Sequence, residues 1–313
     1  MNKRIRDFLE YLELERGHSQ LTIRNYSAYL EKFAEFAEEN GITSVSKIDL
    51  EIIKKWRLVL HRRNLSNKTL NYYMIAIRSF LKYLSKIDQK SLVPEKIELA
   101  DTPDREIQFL EKEEVARILE AFSGSGVLDL RNRAILETLF TTGLRVSELV
   151  GLNRDEINLE RNEFAITGKG GKRRLVFMSD SASLYLQKYL DKRLDLDKAV
   201  FAKLKIKDKK SKDSKEKGEK KGYEDLGGRL TTRQVERIVK EAAKKAGVVK
   251  KVTPHVMRHS FATDILRSGA DLRSVQNLLG HSSVTSTQAY THVTDKHLKE
   301  IHKKYHHRQE EDK

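Results

Sequence analysis

Residues 255–290 read HVMRHSFATDILRSGADLRSVQNLLGHSSVTSTQAY. Gly269 and Gly280 punctuate the stretch, and a further glycine, Gly247, precedes it. The apolar residues between them predict helices broken at these glycines. Gly280 is placed to end the SVQNLLG helix with a left-handed cap, and the next helix starts after Ser282 with Tyr290 inside it. His255 and His259, four residues apart, share one face of their helix. That spacing suits zinc in an H-E-x-x-H site, but Val256 stands where the glutamate belongs and no third ligand is evident, so no metal is expected. The stretch thus holds three histidines, Arg258 and a late Tyr290, with no cysteine.

Upstream, TTGLRVSEL puts Arg145 on or just before a helix, with Glu148 three residues on along the same face. EFAITGKGGKRRLVFMS (163–179) alternates apolar and polar residues around a Gly/Lys turn and predicts a β-hairpin. The turn leads into a strand rather than a helix, which argues against a nucleotide-phosphate loop; mobile lysines near a polyanion fit it better. Residues 1–92 read as helices. TIRNYSAYLEKFAEFA spaces Ile23, Tyr26, Leu30, Phe33 and Ala37 as an amphipathic stripe, with Ser19 as N-cap and Gly41 as stop. KTLNYYMIAIRSFLKYL repeats the pattern with Leu70, Tyr73, Ile77, Leu81 and Leu84, leaving Lys68, Asn71, Arg78 and Lys82 on the opposite face. Residues 93–105 carry prolines and no period and are expected to be a linker. A mostly helical second domain, 106–313, follows. Its segment 203–222 has too little apolar content to offset ordering and is expected to be disordered. The fold class expected is mainly α, with one small antiparallel sheet.

Lysine and arginine number 61 against 46 acids, a net +15. The 203–222 segment, with ten lysines and four acids, supplies +6 of this, and the remaining +9 still favours a polyanionic partner, nucleic acid first. The absence of cysteine excludes disulfides and thiolate zinc sites and fits a reducing cytoplasm. No apolar run approaches the ~20 residues of a membrane span, and MNKRIRDFLEYLELERG lacks an export signal core.

Taken in order, Arg-x-x-Glu, a hairpin lysine, His-x-x-Arg, Gly-His and a tyrosine nine residues on make the chain resemble the tyrosine recombinases, or lambda-integrase family, and its Xer branch in particular. TTGLRVSELVGL, TGKGGKRRLVFM and TPHVMRHSFATDILRSGADLRSVQNLLGHSSVTSTQAYTHV carry the resemblance. It implies an N-terminal, SAM-like core-binding domain and a catalytic domain from about 106. Residue by residue, it implies catalytic roles for Arg145, Lys169, His255, Arg258, His281 and the nucleophile Tyr290, with Glu148 behind them. Lys172 lies close enough to the turn to compete with Lys169. Lys68, Arg78, Lys82, Lys172 and Arg173 are the expected DNA-backbone contacts. The 203–222 insertion is longer than Xer chains usually carry.

The implied chemistry suits these residue types. A phosphodiester attacked by a phenol gathers charge on its non-bridging oxygens, and two guanidiniums can fork onto them. His281 would donate a further hydrogen bond, His255 would take the phenolic proton and Lys169 would protonate the leaving 5′-oxygen. Glu148 would orient Arg145 or His255. The covalent 3′-phosphotyrosyl bond keeps the energy of the broken linkage, so no ATP, metal or other cofactor is expected. The resemblance also implies duplex DNA with a specific site, a homo- or hetero-tetramer on two duplexes, an activating DNA translocase as a further partner, no membrane, and docking of TDKHLKEIHKKYHH onto a neighbour through Leu298, Ile301 and Tyr305. Chromosome dimer resolution is the leading role. The rivals are an integrase of a mobile element, a type IB topoisomerase, and a basic DNA-binding protein without catalysis.

Overall fold

The structure, a computed structural model, describes residues 1–102, 108–168, 171, 173–207 and 222–280. The chain divides into two compact units, Met1–Arg105 and Glu106–Lys313.

The first unit is built from α1 (Asn2–Leu14), α2 (Gln20–Glu39), α3 (Leu50–Arg62) and α4 (Asn67–Lys86). Ser19 and Ser66 cap α2 and α4 by accepting the backbone N–H three residues on, as the expected cap at Ser19 requires. Gly41 has φ +76°, which lets the chain turn away after α2. Leu30 and Phe33 of the α2 stripe, and all five expected stripe residues of α4, are buried in one cluster with Trp56, and Ala37 is buried too. On the opposite face of α4, Lys68 and Lys82 are exposed and Arg78 is half-buried. Asn71 does other work: its side-chain amide exchanges two hydrogen bonds with the backbone of Ala100, at 2.8 and 2.9 Å. Together with a 3₁₀ turn at Pro94–Lys96 and buried Ile97, this ties the start of the segment expected to be a linker onto the first unit. Its aperiodic sequence hides a contact made by one polar side chain rather than by an apolar stripe.

The second unit comprises α5 (Lys112–Leu119), α6 (Val127–Thr142), α7 (Val146–Gly151), a sheet of β1 (Ile157–Asn158), β2 (Glu163–Thr167) and β3 (Arg173–Phe177), then α8 (Asp180–Asp191), β4 (Ala202–Lys207), β5 (Gly222–Arg229), α9 (Thr232–Lys245), α10 (Pro254–Arg267) and α11 (Leu272–Leu279). The expected hairpin is β2–β3, paired antiparallel with Ile166 opposite Arg174 and Phe164 opposite Val176; β1 adds a third strand. Phe164, Ile166 and Val176 face the core, and Arg174 shares their face.

Two expectations for 203–222 need separate treatment. Residues 203–207 and Gly222 lie in strands β4 and β5, which corrects the expectation of disorder at both ends of the segment. Buried Phe201, Ala202 and Leu230 anchor the pair at its base, and the paired backbone replaces the missing apolar surface. Residues 208–221 lie outside the described residues, as do Lys169, Lys172, His281, Tyr290 and the C-terminal 294–307 segment.

Helices α6 and α10 are buried on more than one side and form the centre of this unit. Thr253 caps α10, and Pro254 at its first position needs no hydrogen-bond partner. Each break expected at a glycine is present, with φ +66° at Gly247, +97° at Gly269 and +63° at Gly280. Gly143 ends α6 in the left-handed conformation with no room for a side chain: an added Cβ would lie 2.4 Å from the Phe261 ring and 2.9 Å from Leu279. Gly247 has a similar φ but open space around it. Gly143→Ala is therefore expected to cost about 3 kcal/mol, from left-handed strain plus overpacking, and Gly247→Ala about 1 kcal/mol, from strain alone. Urea unfolding of the two variants checks the difference.

Candidate active site

Helix α7 starts at a tight corner. Gly143 turns the chain out of α6, Leu144 is buried, and Arg145 becomes the N-cap residue of α7. An arginine side chain cannot accept a hydrogen bond, so the cap is supplied from the other end. The Glu148 carboxylate accepts the Arg145 backbone N–H at 2.8 Å and its Nη1 at 2.8 Å. This is the pair read from Arg-x-x-Glu, and among Glu148's expected charges it is Arg145 that the carboxylate holds.

A second guanidinium closes on the same carboxylate. Arg174 of β3 grips both oxygens, Nη1 to Oε1 at 3.1 Å and Nη2 to Oε2 at 2.9 Å. A third, Arg258 of α10, stands 4.0 Å from Glu148 Oε2. Three guanidiniums around one carboxylate leave an excess of two positive charges. Burial alone would raise the Glu148 carboxyl; the hydrogen bond from Arg174, that from the Arg145 backbone and the charge of Arg174 outweigh it and hold the group below its ordinary 4.5.

Helix ends fix the arginines from the other side. Arg258 donates Nη1 to the Gly143 carbonyl at 2.5 Å and Nη2 to the Leu279 carbonyl at 2.7 Å. Arg145 donates Nη2 to the next carbonyl, that of Gly280, at 3.3 Å. These carbonyls are the unpaired, electronegative C-termini of α6 and α11. Two guanidiniums thus sit on consecutive carbonyls at the end of α11, although their residues are 113 positions apart in sequence.

Arg145 and Arg258 line a cavity of about 600 Å³ with Leu144, Ser147, His255 and His259. His255 is exposed, and its Nε2 lies 2.9 Å from that of His259, so one imidazole donates to the other. The four-residue spacing that suggested a metal site therefore pairs the two rings with each other. Among the described residues no group of three His, Cys, Asp or Glu is placed to hold a metal ion. No helix among them is long and apolar enough to cross a membrane.

The structure thus brings Arg145, Glu148, His255 and Arg258 together. Arg173 points outward on β3 and is exposed. Sequence reading missed Arg174 and gave His259 no role beside His255. The signal for Arg174 was present: strand alternation puts it in phase with the core residues Val176 and Met178, while Arg173 is out of phase.

A family model described as the phage integrase family matches residues 108–297, and one described as the phage integrase N-terminal SAM-like domain matches residues 5–87. Tyrosine recombinase XerC of Halalkalibacterium halodurans is 36% identical over 312 residues, covering 96% of this chain and 95% of that protein. Tyrosine recombinase XerD of Oceanobacillus iheyensis is 35% identical over 305 residues, covering 96% and 97%. Among solved structures, XerA recombinase is 30% identical with a TM-score of 0.51, covering 97% of this chain and 98% of its own. XerH site-specific recombinase bound to palindromic difH substrate has the same fold, with a TM-score of 0.69 at 24% identity, covering 91% and 80%. The chain belongs to the phage integrase family, in which it is a tyrosine recombinase of the Xer type.

The Glu148 linkage gives a pH prediction. Its carboxyl is held below 4.5 in the folded state, so its ionised form stabilises the fold above that value, and the contribution is lost as pH falls through the lower folded value. Glu148→Gln is expected to cost about 3 kcal/mol at neutral pH, because Arg174 is left half-buried against a neutral partner. The variant's stability is also expected to fall less steeply with acid. Urea unfolding across the acid range measures both.

Proposed function

We propose that this chain is a site-specific DNA recombinase that cuts and rejoins strands through a 3′-phosphotyrosyl intermediate on Tyr290, and that its cellular task is the resolution of chromosome dimers in the cytoplasm. The observation that carries this reading is the convergence of Arg145 and Arg258, from distant segments, on consecutive carbonyls beside one cavity that also holds His255.

The residues divide the work by their chemistry. Arg145 and Arg258 neutralise the non-bridging oxygens as charge develops on them, with His281 as a further donor. Being already fixed by Glu148 and the helix ends, they need no reorganisation at the moment of reaction. The Tyr290 oxygen attacks phosphorus and forms the P–O bond to the enzyme. His255 takes the phenolic proton, and its hydrogen bond to His259 steadies the ring. The bond from phosphorus to the 5′-oxygen breaks, and Lys169 supplies that oxygen's proton. Attack by a 5′-hydroxyl of a second duplex reverses the sequence and joins the new strand, with no net change in the number of phosphodiesters. Two duplexes call for a tetramer with half its sites active at a time, and an activating translocase fits the dimer-resolution role.

Duplex DNA as partner is supported by the basic charge, by the XerC and XerD relatives, and by the surface beside the site. Past Val146, Pro254 and His255 the cavity continues into a groove of about 880 Å³ whose lining includes Lys240, Lys244, Lys250 and Lys251. These lysines join Lys68, Arg78, Lys82, Lys172 and Arg173 as contacts to the sugar–phosphate backbone. The XerC and XerD likeness along nearly the whole chain favours dimer resolution over a mobile-element integrase or a topoisomerase.

Tyr290→Phe is expected to abolish covalent attachment to a nicked suicide duplex while leaving binding unchanged; peptide mapping that finds the DNA on Tyr223 or Tyr305 contradicts the assignment. Arg145→Ala is expected to slow single-turnover cleavage about 10²-fold or more. Affinity for the duplex is expected to fall steeply with salt as counterions are released, and a flat titration contradicts a DNA partner.

A further inference from the structure

Arg174 belongs to none of the roles above. It sits on β3, opposite Ile166, on the face of the hairpin turned toward the core. Its side chain is 13% exposed, against 39% for Arg145, and it is absent from the lining of the cavity that Arg145 and Arg258 share. Both hydrogen bonds that Arg174 makes among the described residues go to Glu148, one to each oxygen. On its other side is the end of α11: a Cβ added to Gly280 would lie 2.7 Å from Arg174 Nη1 and 3.0 Å from its Cζ. Arg145 spans the same two partners, reaching Glu148 with Nη1 and the Gly280 carbonyl with Nη2.

We propose that Arg174 is a positioning residue for strand cleavage: its two-pronged grip turns the Glu148 carboxylate toward Arg145 and, pressed against Gly280, joins the hairpin, the start of α7 and the end of α11 into one support for the Arg145 guanidinium. The inference rests on the recombinase reading and adds to it a residue that does not touch DNA. A carboxylate has two oxygens, and Glu148 must serve the Arg145 backbone and side chain with both. A forked guanidinium is the one side chain that can brace both oxygens in a single plane. Arg145 and Arg174 bond the carboxylate directly, while Arg258 stands at 4.0 Å. The lowered Glu148 carboxyl agrees, since the hydrogen bond from Arg174 leads the influences that hold it down.

The test uses the full chain and a nicked suicide duplex. Single-turnover cleavage at saturating DNA, duplex affinity and thermal unfolding are measured for wild type, Arg174→Met, Arg174→Lys, Glu148→Gln and the double variant. Arg174→Met is expected to slow cleavage about 10²-fold by misplacing Arg145, with affinity changed by less than about threefold. Arg174→Lys keeps the charge but not the fork and recovers only part of the rate; it carries the test if the methionine variant fails to fold. Combining Arg174→Met with Glu148→Gln is expected to be no slower than the slower single variant, because both remove the same support. Wild-type cleavage by Arg174→Met overturns the proposal, as do losses that multiply in the double variant. A drop in affinity as large as the drop in rate also overturns it, making Arg174 a DNA ligand. A wild-type chain that forms no adduct with any duplex sinks the recombinase reading itself and this inference with it.

Discussion

One half-buried carboxylate, Glu148, organises the candidate site. Guanidiniums gathered in one half-buried pocket repel one another, and there that repulsion is poorly screened. Glu148 relieves it with one negative charge shared among Arg145, Arg174 and Arg258, and leaves an excess positive charge facing the cavity. A second carboxylate would halve the excess charge, and none at all would leave the arginines to splay apart. In the proposed recombinase, the arrangement is an anion site kept assembled by an anion of its own.

The backbone completes what the carboxylate begins. Arg258 and Arg145 are held by carbonyls that α6 and α11 leave unpaired at their C-termini, where the helix dipoles are negative. Both helices end in left-handed glycines, and both glycines are crowded: by Phe261 and Leu279 at Gly143, by Arg174 at Gly280. The absence of a side chain there does two things at once. It permits the turn that exposes the carbonyl, and it makes room for the group that packs over it. Stability and function share these positions, so substitutions there are expected to affect both.

Much of this is legible in the sequence because it depends on local spacing. The stripes of α2 and α4, the Ser19 cap, the β2–β3 hairpin, the Gly280 cap and the Arg145–Glu148 pair each follow from residues within a turn or a strand of one another. What stayed hidden depends on pairing across distance. Asn71 looked like part of a polar surface and instead holds Ala100. The lysine-rich segment looked structureless throughout, yet its ends pair as β4 and β5, because backbone hydrogen bonds between strands leave no mark on composition. Arg174 went unnamed beside Arg173, and it is the pairing register that sets one inward and the other outward. The meeting of Arg145 with Arg258 is beyond any spacing rule; family resemblance supplied it, and the α11 carbonyls now give it a physical basis.

The account turns on Arg145 and Arg258 acting on one phosphate while Glu148 keeps its grip. The most direct measurement is a crystal structure of the uncleaved complex of the full chain, carrying Tyr290→Phe, with its duplex. The account predicts Nη atoms of both arginines within hydrogen-bond distance of the non-bridging oxygens of a single phosphate, with Glu148 still bridging Arg145 and Arg174. Arginines bound to separate phosphates, or a phosphate seated with Glu148 turned away from both partners, would contradict it.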